Sequence, residues 1–430
     1  MMRLLYNFFF PLLLLAALPS YLLRMWRRGG YRSDFGQRFG RYAPARQEQF
    51  SQGEWIWLHA VSVGELMVGL KLLEELHLRH PGWRFVVSST TSTAHAIAVN
   101  RAQDWWIPVY TPVDFAPVVR RALDAVRPRA VVLVESEMWP NFVWNCADRG
   151  IPVTLVNARV SPRSARRYAK FAAVVRTVVR HLTAVGLQEP EHAALWEKIG
   201  VTPTRLHVTG SVKFDPSETG SDTARDFRPV LQSWGFGASD PVLLAGSTHA
   251  GEEEILAEAL RLLRKQHPHT RLLIAPRHVE RTPDVVARLG ASGFRVGLRR
   301  DDPAGPPPDI LVINTTGELR DWYACADAVF IGKSLAGTGG QNPVEAILAG
   351  RPVLFGPHME NFAALRDALL AAGGAIEVVD GAALADEAGK LFADPRRRED
   401  VTRRATAALH PHQGATRRTA DLVERSITEG

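Results

Sequence analysis

The segment from Phe330 to Gly350, FIGKSLAGTGGQNPVEAILAG, runs a strand, a glycine loop and a helix start together, and so narrows the folds open to the chain. Ala328–Ile331 is an apolar run of the length expected for a buried strand. Gly337, Gly339 and Gly340 allow a tight turn and a close approach of backbone to a ligand. Asn342 reads as an N-cap, Pro343 as the first helical residue and Glu345 as the third. Gly350 ends the helix, and Pro352–Phe355 reads as the next strand. A helix start behind glycines exposes unpaired N–H groups that attract anions. An ordinary capping box would use the same residues, and the loop lacks the G-K-[ST] ending of a P-loop. The choice between scaffold and nucleotide site falls to the other segments.

The same alternation fills the rest of the chain. Trp55–Ala60, Phe85–Ser89, Trp105–Tyr110, Ala130–Glu135, Val153–Asn157, Ala184–Gly186 and His207–Gly210 read as strands in the first half. Val242–Ala245, Arg271–Ala275 and Ile310–Ile313 precede the opening segment in the second. Strands alternating with helices imply α/β architecture with parallel, doubly wound sheets. At 430 residues and 46% hydrophobic composition the chain is long enough for two such domains. The expected organisation is an N-terminal segment 1–30, a first domain 31–217, a Ser/Thr/Gly-rich linker 218–238, a second domain 239–410 and a C-terminal helix 411–430.

The N-terminal segment differs from everything after it. Leu4–Leu23 is nearly all apolar, interrupted by Asn7, Pro11, Pro19 and Ser20. Its length approaches the roughly 20 residues that span a bilayer as a helix. Arg24, Arg27, Arg28, Arg32, Arg38 and Arg41 follow it, which places the C-terminal side in the cytoplasm. A cleaved signal peptide carries its positive charge before the apolar run, so a membrane anchor is the better reading. The two prolines leave an interfacial helix open beside a spanning one.

Two cysteines, Cys146 and Cys325, provide neither a disulfide framework nor a zinc cluster. The formal charge of +7 suits an anionic surface or a phosphorylated substrate. Without an aromatic-basic RNA signature, nucleic acid is the least favoured partner. No H-E-x-x-H or Cys/His cluster calls for a metal, and no G-x-S-x-G elbow supports a serine hydrolase.

Ligands of open α/β sheets gather beyond the carboxyl ends of the strands. Those positions hold Glu65, Glu135, Glu137, Arg159 and Lys213 in the first half. In the second they hold Ser247, Thr248, Arg277, His278 and Glu318. The division suggests base chemistry on one side and phosphate binding on the other. Glu65 could serve as a proton acceptor or only as a helix-capping glutamate. A neighbouring carboxylate such as Glu135 or Glu137 would raise its pKa toward the range useful to a base. Lys213 could neutralise a phosphate or sugar carboxylate, or pair with Asp215. Arg277 has planar donors suited to phosphate.

Taken together, S62-V-G-E65, E135-S-E-M-W-P-N141, N157-A-R159, G210-S-V-K-F-D215, A275-P-R-H278 and G339-G-Q-N-P-V-E345 resemble the 3-deoxy-D-manno-octulosonic acid (Kdo) transferases of lipopolysaccharide assembly. The similarity runs through nearly the whole chain, in the same motif order. Gln341 is a small departure, standing where the family most often has His.

The resemblance implies a GT-B-type glycosyltransferase, with two Rossmann-like doubly wound domains facing a central cleft and an N-terminal membrane anchor helix. The implied donor is CMP-Kdo and the acceptor lipid IVA, at the cytoplasmic face of the inner membrane. No metal or other cofactor is expected. By family motif Glu65 is the general base, while Glu135 and Lys213 stabilise the transition state. Pro276 and Arg277, the turn Gly317-Glu318-Leu319, and Asn342, Pro343, Val344 and Glu345 correspond to CMP-binding segments. Two alternatives stand beside this one. One is another GT-B transferase or epimerase with a different nucleotide-sugar; the other is a membrane-tethered, non-catalytic nucleotide-sugar-binding protein.

Overall fold

The computed structural model describes residues 2–12, 34–135, 138–160, 168, 170–215, 225–303 and 305–428. The chain divides into two compact units, Met1–Ser217 with His412–Gly430, and Glu218–Pro411.

Unit 1 is built on one parallel sheet. Its strands are β1 (Trp55–Ala60), β2 (Arg84–Ser89), β3 (Trp106–Tyr110), β4 (Pro128–Val134), β5 (Val153–Ala158), β6 (Ala184–Leu187) and β7 (Leu206–Val208). They lie in the order β3-β2-β1-β4-β5-β6-β7. Successive side chains of a strand point to opposite faces. Trp57, Leu133 and Leu155 therefore enter one core, and Leu58, Val132 and Val156 the other. Because helices cover both faces, the strands read as unbroken apolar runs rather than alternating ones.

The C-terminal helix Ala415–Thr428 belongs to this first unit and returns to one face of its sheet. Its Ala420 and Val423 share a core with Leu66, Leu70 and Leu73 of the helix Val63–Arg79. Arg79 and His80 pair with Glu424 across the same contact. A separate terminal helix, expected from sequence, is thus a structural member of the domain at the other end of the chain.

Residues 2–12 form a helix lying against unit 1. Arg3 pairs with Asp148 at 2.6 Å. The Tyr6 hydroxyl donates to Asp114 Oδ2 at 2.8 Å, and the Tyr6 ring meets Trp144 edge-on at 5.6 Å. Leu4, Leu5, Phe8, Phe9 and Leu12 remain exposed. Among the described residues no helix is long and apolar enough to cross a membrane. The rest of the apolar run, with Arg24, Arg27, Arg28 and Arg32, lies outside the described residues, as do Glu137 and the first part of the expected linker.

Unit 2 holds a second parallel sheet. Its strands are β8 (Val242–Thr248), β9 (Arg271–Pro276), β10 (Val296–Leu298), β11 (Ile310–Val312), β12 (Ala328–Ile331), β13 (Val353–Phe355) and β14 (Ala375–Glu377). Their order is β10-β11-β9-β8-β12-β13-β14. The described part of the expected linker is packed on this unit. Phe227 stacks on Trp322 with ring centroids 4.3 Å apart, and Leu231 and Trp234 are buried.

Candidate functional site

The first sheet reverses its winding between β1 and β4, neighbours whose connections leave in opposite directions. A crevice opens at such a switch point, beyond the strand ends. Glu65 follows β1 and Glu135 follows β4, so the topology alone brings two carboxylates to one place.

Glu65 sits in the first turn of the helix Val63–Arg79, with Ser62 as its N-cap. Ser62 Oγ accepts from the Glu65 N–H at 3.3 Å, while Glu65 Oε1 accepts from the Ser62 hydroxyl at 2.9 Å. Glu65 Oε2 accepts from the Val61 N–H at 2.7 Å. The glutamate therefore does cap its helix, and the same bonds fix the carboxylate. Burial raises its pKa above the ordinary value, the Val61 and Ser62 bonds oppose that, and the charge of Glu135 pushes it further up. A carboxylate has about four acceptor sites, so two bonds leave capacity for a substrate hydroxyl.

Glu135 has a positive φ of 63°, a conformation that a side chain other than glycine's adopts with strain. Its Oε2 lies 3.4 Å from Arg159 Nε. Lys213 belongs to the short 3-10 turn Val212–Phe214. Burial lowers its pKa, the charge of Glu135 raises it and Arg159 lowers it again. Glu135 thus acts electrostatically on both Glu65 and Lys213, and the three expected catalytic side chains come together.

Residues that sequence reasoning missed hold the Lys213 turn. Asn157, at a positive φ of 54°, accepts from the Val212 N–H through Oδ1 at 3.0 Å. Lys71, two turns along the helix from Glu65, donates to the Val212 and Asp215 carbonyls at 3.3 and 3.0 Å. Asp215 accepts from the backbone N–H groups of Gly414 and Thr416. Asn157 and Asp215 lie inside quoted motifs, and that was the available signal.

In unit 2 the second switch point lies between β8 and β12. Arg277 and His278 follow β9 and are exposed. Burial raises the pKa of Glu345, and the nearby Arg320 and Arg277 oppose it. Glu318 is occupied: its carboxylate accepts from the Thr315 hydroxyl at 2.7 Å and lies 3.4 Å from Arg299.

The helix of the opening segment is shorter than its sequence suggests. It spans Val344–Leu348, with Pro343 in the cap position and Asn342 Oδ1 accepting from the Val344 N–H at 3.1 Å. Glu345 accordingly lies in the second helical position. Gly339 and Gly340 have φ values of 109° and 67°, in the left-handed region that favours glycine. A Cβ on Gly339 would meet Asn361 at 2.5 Å, and one on Gly340 would meet Met359 at 2.3 Å. The glycines admit the segment after β13, which closes on the loop through Glu360 Oε2 and the Gly339 N–H.

Two acidic residues beyond β8, at the start of the helix Glu252–Leu263, organise these loops. Glu252 is fully buried and accepts four backbone N–H groups, those of His249, Lys333, Ser334 and Leu335. Glu253 is 1% exposed; it accepts from the Thr248 hydroxyl and pairs with Arg281 at 2.9 Å. Among the described residues no group of three or more His, Cys, Asp or Glu side chains could hold a metal ion.

Two parallel sheets of this winding define a glycosyltransferase-B-type α/β fold. Solved structures share it: a UDP-GlcNAc 2-epimerase from Neisseria meningitidis bound to UDP-GlcNAc gives a TM-score of 0.56 at 12% identity, covering 88% of this chain and 100% of that one. The glycotransferase of kitacinnamycin gives 0.55 at 19% identity, covering 87% and 99%. The 3-deoxy-D-manno-octulosonic-acid transferase (kdotransferase) family matches residues 33–216. The 3-deoxy-D-manno-octulosonic acid transferase of Bordetella pertussis is 34% identical over 426 residues, 94% of this chain and 96% of that protein. That of Haemophilus influenzae is 30% identical over 426 residues, 97% and 98% of the two chains. The chain belongs to the 3-deoxy-D-manno-octulosonic-acid transferase family and is a glycosyltransferase.

Proposed function

We propose that this glycosyltransferase moves Kdo from CMP-Kdo to lipid IVA in lipopolysaccharide assembly, by a single inverting displacement. The observation that carries the reading is the convergence of Glu65, Glu135 and Lys213 in unit 1. Glu65 takes the proton of an acceptor hydroxyl, the freed oxygen attacks the anomeric carbon, and CMP leaves. A base works best with a pKa near the working pH, and the raised pKa of Glu65 moves it in that direction. The charge of Glu135 opposes the lowering of the Lys213 pKa by burial, and the Lys213 side chain is placed to meet the charge that develops during transfer.

Unit 2 supplies the nucleotide site in this proposal, through Pro276, Arg277, the turn Gly317-Glu318-Leu319, and Asn342, Pro343, Val344 and Glu345. No metal is assigned a role.

Residues 1–30 attach the enzyme to the cytoplasmic face of the inner membrane, where a lipid acceptor resides. The docked helix of residues 2–12 supports this, because Leu4, Phe8 and Leu12 are 76%, 65% and 53% exposed while Tyr6 and Arg3 tie the other side to unit 1. Apolar side chains held outward on a docked helix suit the headgroup boundary.

The test is a transfer assay. Detergent-solubilised protein is mixed with CMP-Kdo and lipid IVA in the presence of chelator, and the acceptor is read by mass spectrometry. A mass increase of one or more Kdo units supports donor, acceptor and metal independence together. An unchanged acceptor with CMP-Kdo bound would refute the acceptor assignment.

A further inference from the structure

Lys333 stands in the left-handed region at φ 59°, a conformation that favours glycine. It follows β12, and His249 follows β8, so the two residues flank the switch point of the second sheet. Its backbone is held on both sides: the N–H donates to Glu252 Oε2 at 2.7 Å, and the carbonyl accepts from the Gly340 N–H at 3.0 Å. Nothing in that backbone arrangement needs a side chain, and a glycine would adopt it without strain.

The side chain nevertheless has a defined place. Gly337 leaves room for it, since a Cβ there would come within 3.0 Å of Lys333 Cγ. Its charge is felt by His249, whose ring lies 6.1 Å from that of His278, beside Arg277. Arg277 in turn acts on Glu345. Burial lowers the His249 pKa, the Ser247 carbonyl and the Glu252 carboxylate oppose that, and the charges of Lys333 and His278 lower it further. Among the described residues the Lys333 ammonium makes no hydrogen bond or ion pair. A strained non-glycine residue with an unpaired cation at a switch point is poorly explained by stability.

We propose that Lys333 is a donor-binding residue whose ammonium pairs with an anionic oxygen of the nucleotide-sugar. The inference rests on the donor reading above. CMP-Kdo offers two such groups, the phosphodiester and the carboxylate on the anomeric carbon of the sugar acid.

Two variants separate backbone from charge. Lys333→Gly relieves the strained φ and removes the ammonium; Lys333→Met removes the ammonium and keeps the strain. Expected for Lys333→Gly is a higher melting temperature together with a KM for CMP-Kdo raised about tenfold, the scale of one lost charge-assisted bond. Lys333→Met should raise KM similarly without the thermal gain, and Lys333→Arg should restore most of the donor affinity.

Binding of CMP alone distinguishes the two oxygens. Unchanged CMP affinity assigns the contact to the sugar carboxylate, and a parallel loss assigns it to the phosphate. Wild-type KM in both the Gly and Met variants would overturn the proposal. A wild-type protein that fails to use CMP-Kdo would instead overturn the donor reading, so the two failures are separable.

Discussion

Asp215 closes the start of the C-terminal helix, accepting from the Gly414 N–H at 2.9 Å and the Thr416 N–H at 2.7 Å. It lies two residues after Lys213, so the end of the chain is fastened to the turn that carries a proposed catalytic cation. His412 adds to the joint by accepting from the Ser211 N–H at 3.2 Å. The helix Val63–Arg79 also packs on the C-terminal helix, so one tail supports both Glu65 and Lys213.

Replacing Asp215 by Ala should therefore affect more than a cap. Two backbone donors lose their acceptor at a site only 4% exposed, which costs about 2–3 kcal/mol. The urea midpoint should fall and kcat with it, while CMP affinity in unit 2 stays the same. An equal loss of CMP affinity would contradict the local reading.

Glu65→Gln tests the base. Glutamine keeps the volume and can still accept from Val61 or Ser62, so the helix start should persist. Loss of a general base lowers turnover by roughly 10²–10⁴. Single-turnover transfer should fall on that scale with donor binding retained, and near-normal turnover would remove Glu65 from the mechanism.

The pH profile follows from Glu135. Glu65 is raised, so the acid limb of kcat/KM lies above that of an ordinary glutamate; Lys213 is lowered, so the alkaline limb lies below that of an ordinary lysine. The negative charge of Glu135 raises both pKa values. Glu135→Gln should move both limbs to lower pH. Limbs that stay fixed, or move in opposite directions, would break the proposed coupling.

Much of the architecture was legible because parallel strands covered on both faces leave a strong trace. Ile56, Leu58 and Val132 announce themselves as apolar runs. The short edge strands β10 and β14 did not, because Val296–Leu298 and Ala375–Glu377 offer three residues each and no clear period. Glu65, Glu135 and Lys213 could be found because functional groups collect at strand ends. Asn157, Asp215, Glu252 and Glu253 were harder, since their importance lies in which distant N–H groups they accept. The glycines Gly339 and Gly340 show the same limit. Sequence reveals that backbone comes close there, but not that Met359 and Asn361 are what approaches.

The N-terminal segment gives three separable predictions. Phe8→Ser with Phe9→Ser removes exposed apolar area, so folding should be unaffected while membrane partition weakens by about 1 kcal/mol or more. Tyr6→Phe instead removes a bond to Asp114, a carboxylate that burial pushes up to about 7. It should loosen the docked helix by about 1.5–3 kcal/mol, read as faster proteolysis near the N-terminus. Deleting residues 1–30 should lower membrane sedimentation and activity on lipid acceptor more than CMP binding. Unchanged sedimentation would argue against the anchor.

Glu252 offers the sharpest test of unit 2, because its carboxylate serves four N–H donors and no solvent reaches it. Both oxygens are needed: Oε2 for His249 and Lys333, Oε1 for Ser334 and Leu335. In Glu252→Gln one oxygen becomes an NH₂ group facing donors, so two backbone N–H groups are left without an acceptor in a closed site. Each unsatisfied buried group costs about 1–3 kcal/mol, so a loss of about 2–6 kcal/mol is expected. The loops after β8 and β12 should loosen first, seen as faster amide exchange at Lys333, Ser334 and Leu335. CMP affinity should fall even at temperatures where the unit stays folded, while amide protection around Glu65 is unchanged. A variant with normal exchange at those residues would show that Glu252 only fills space.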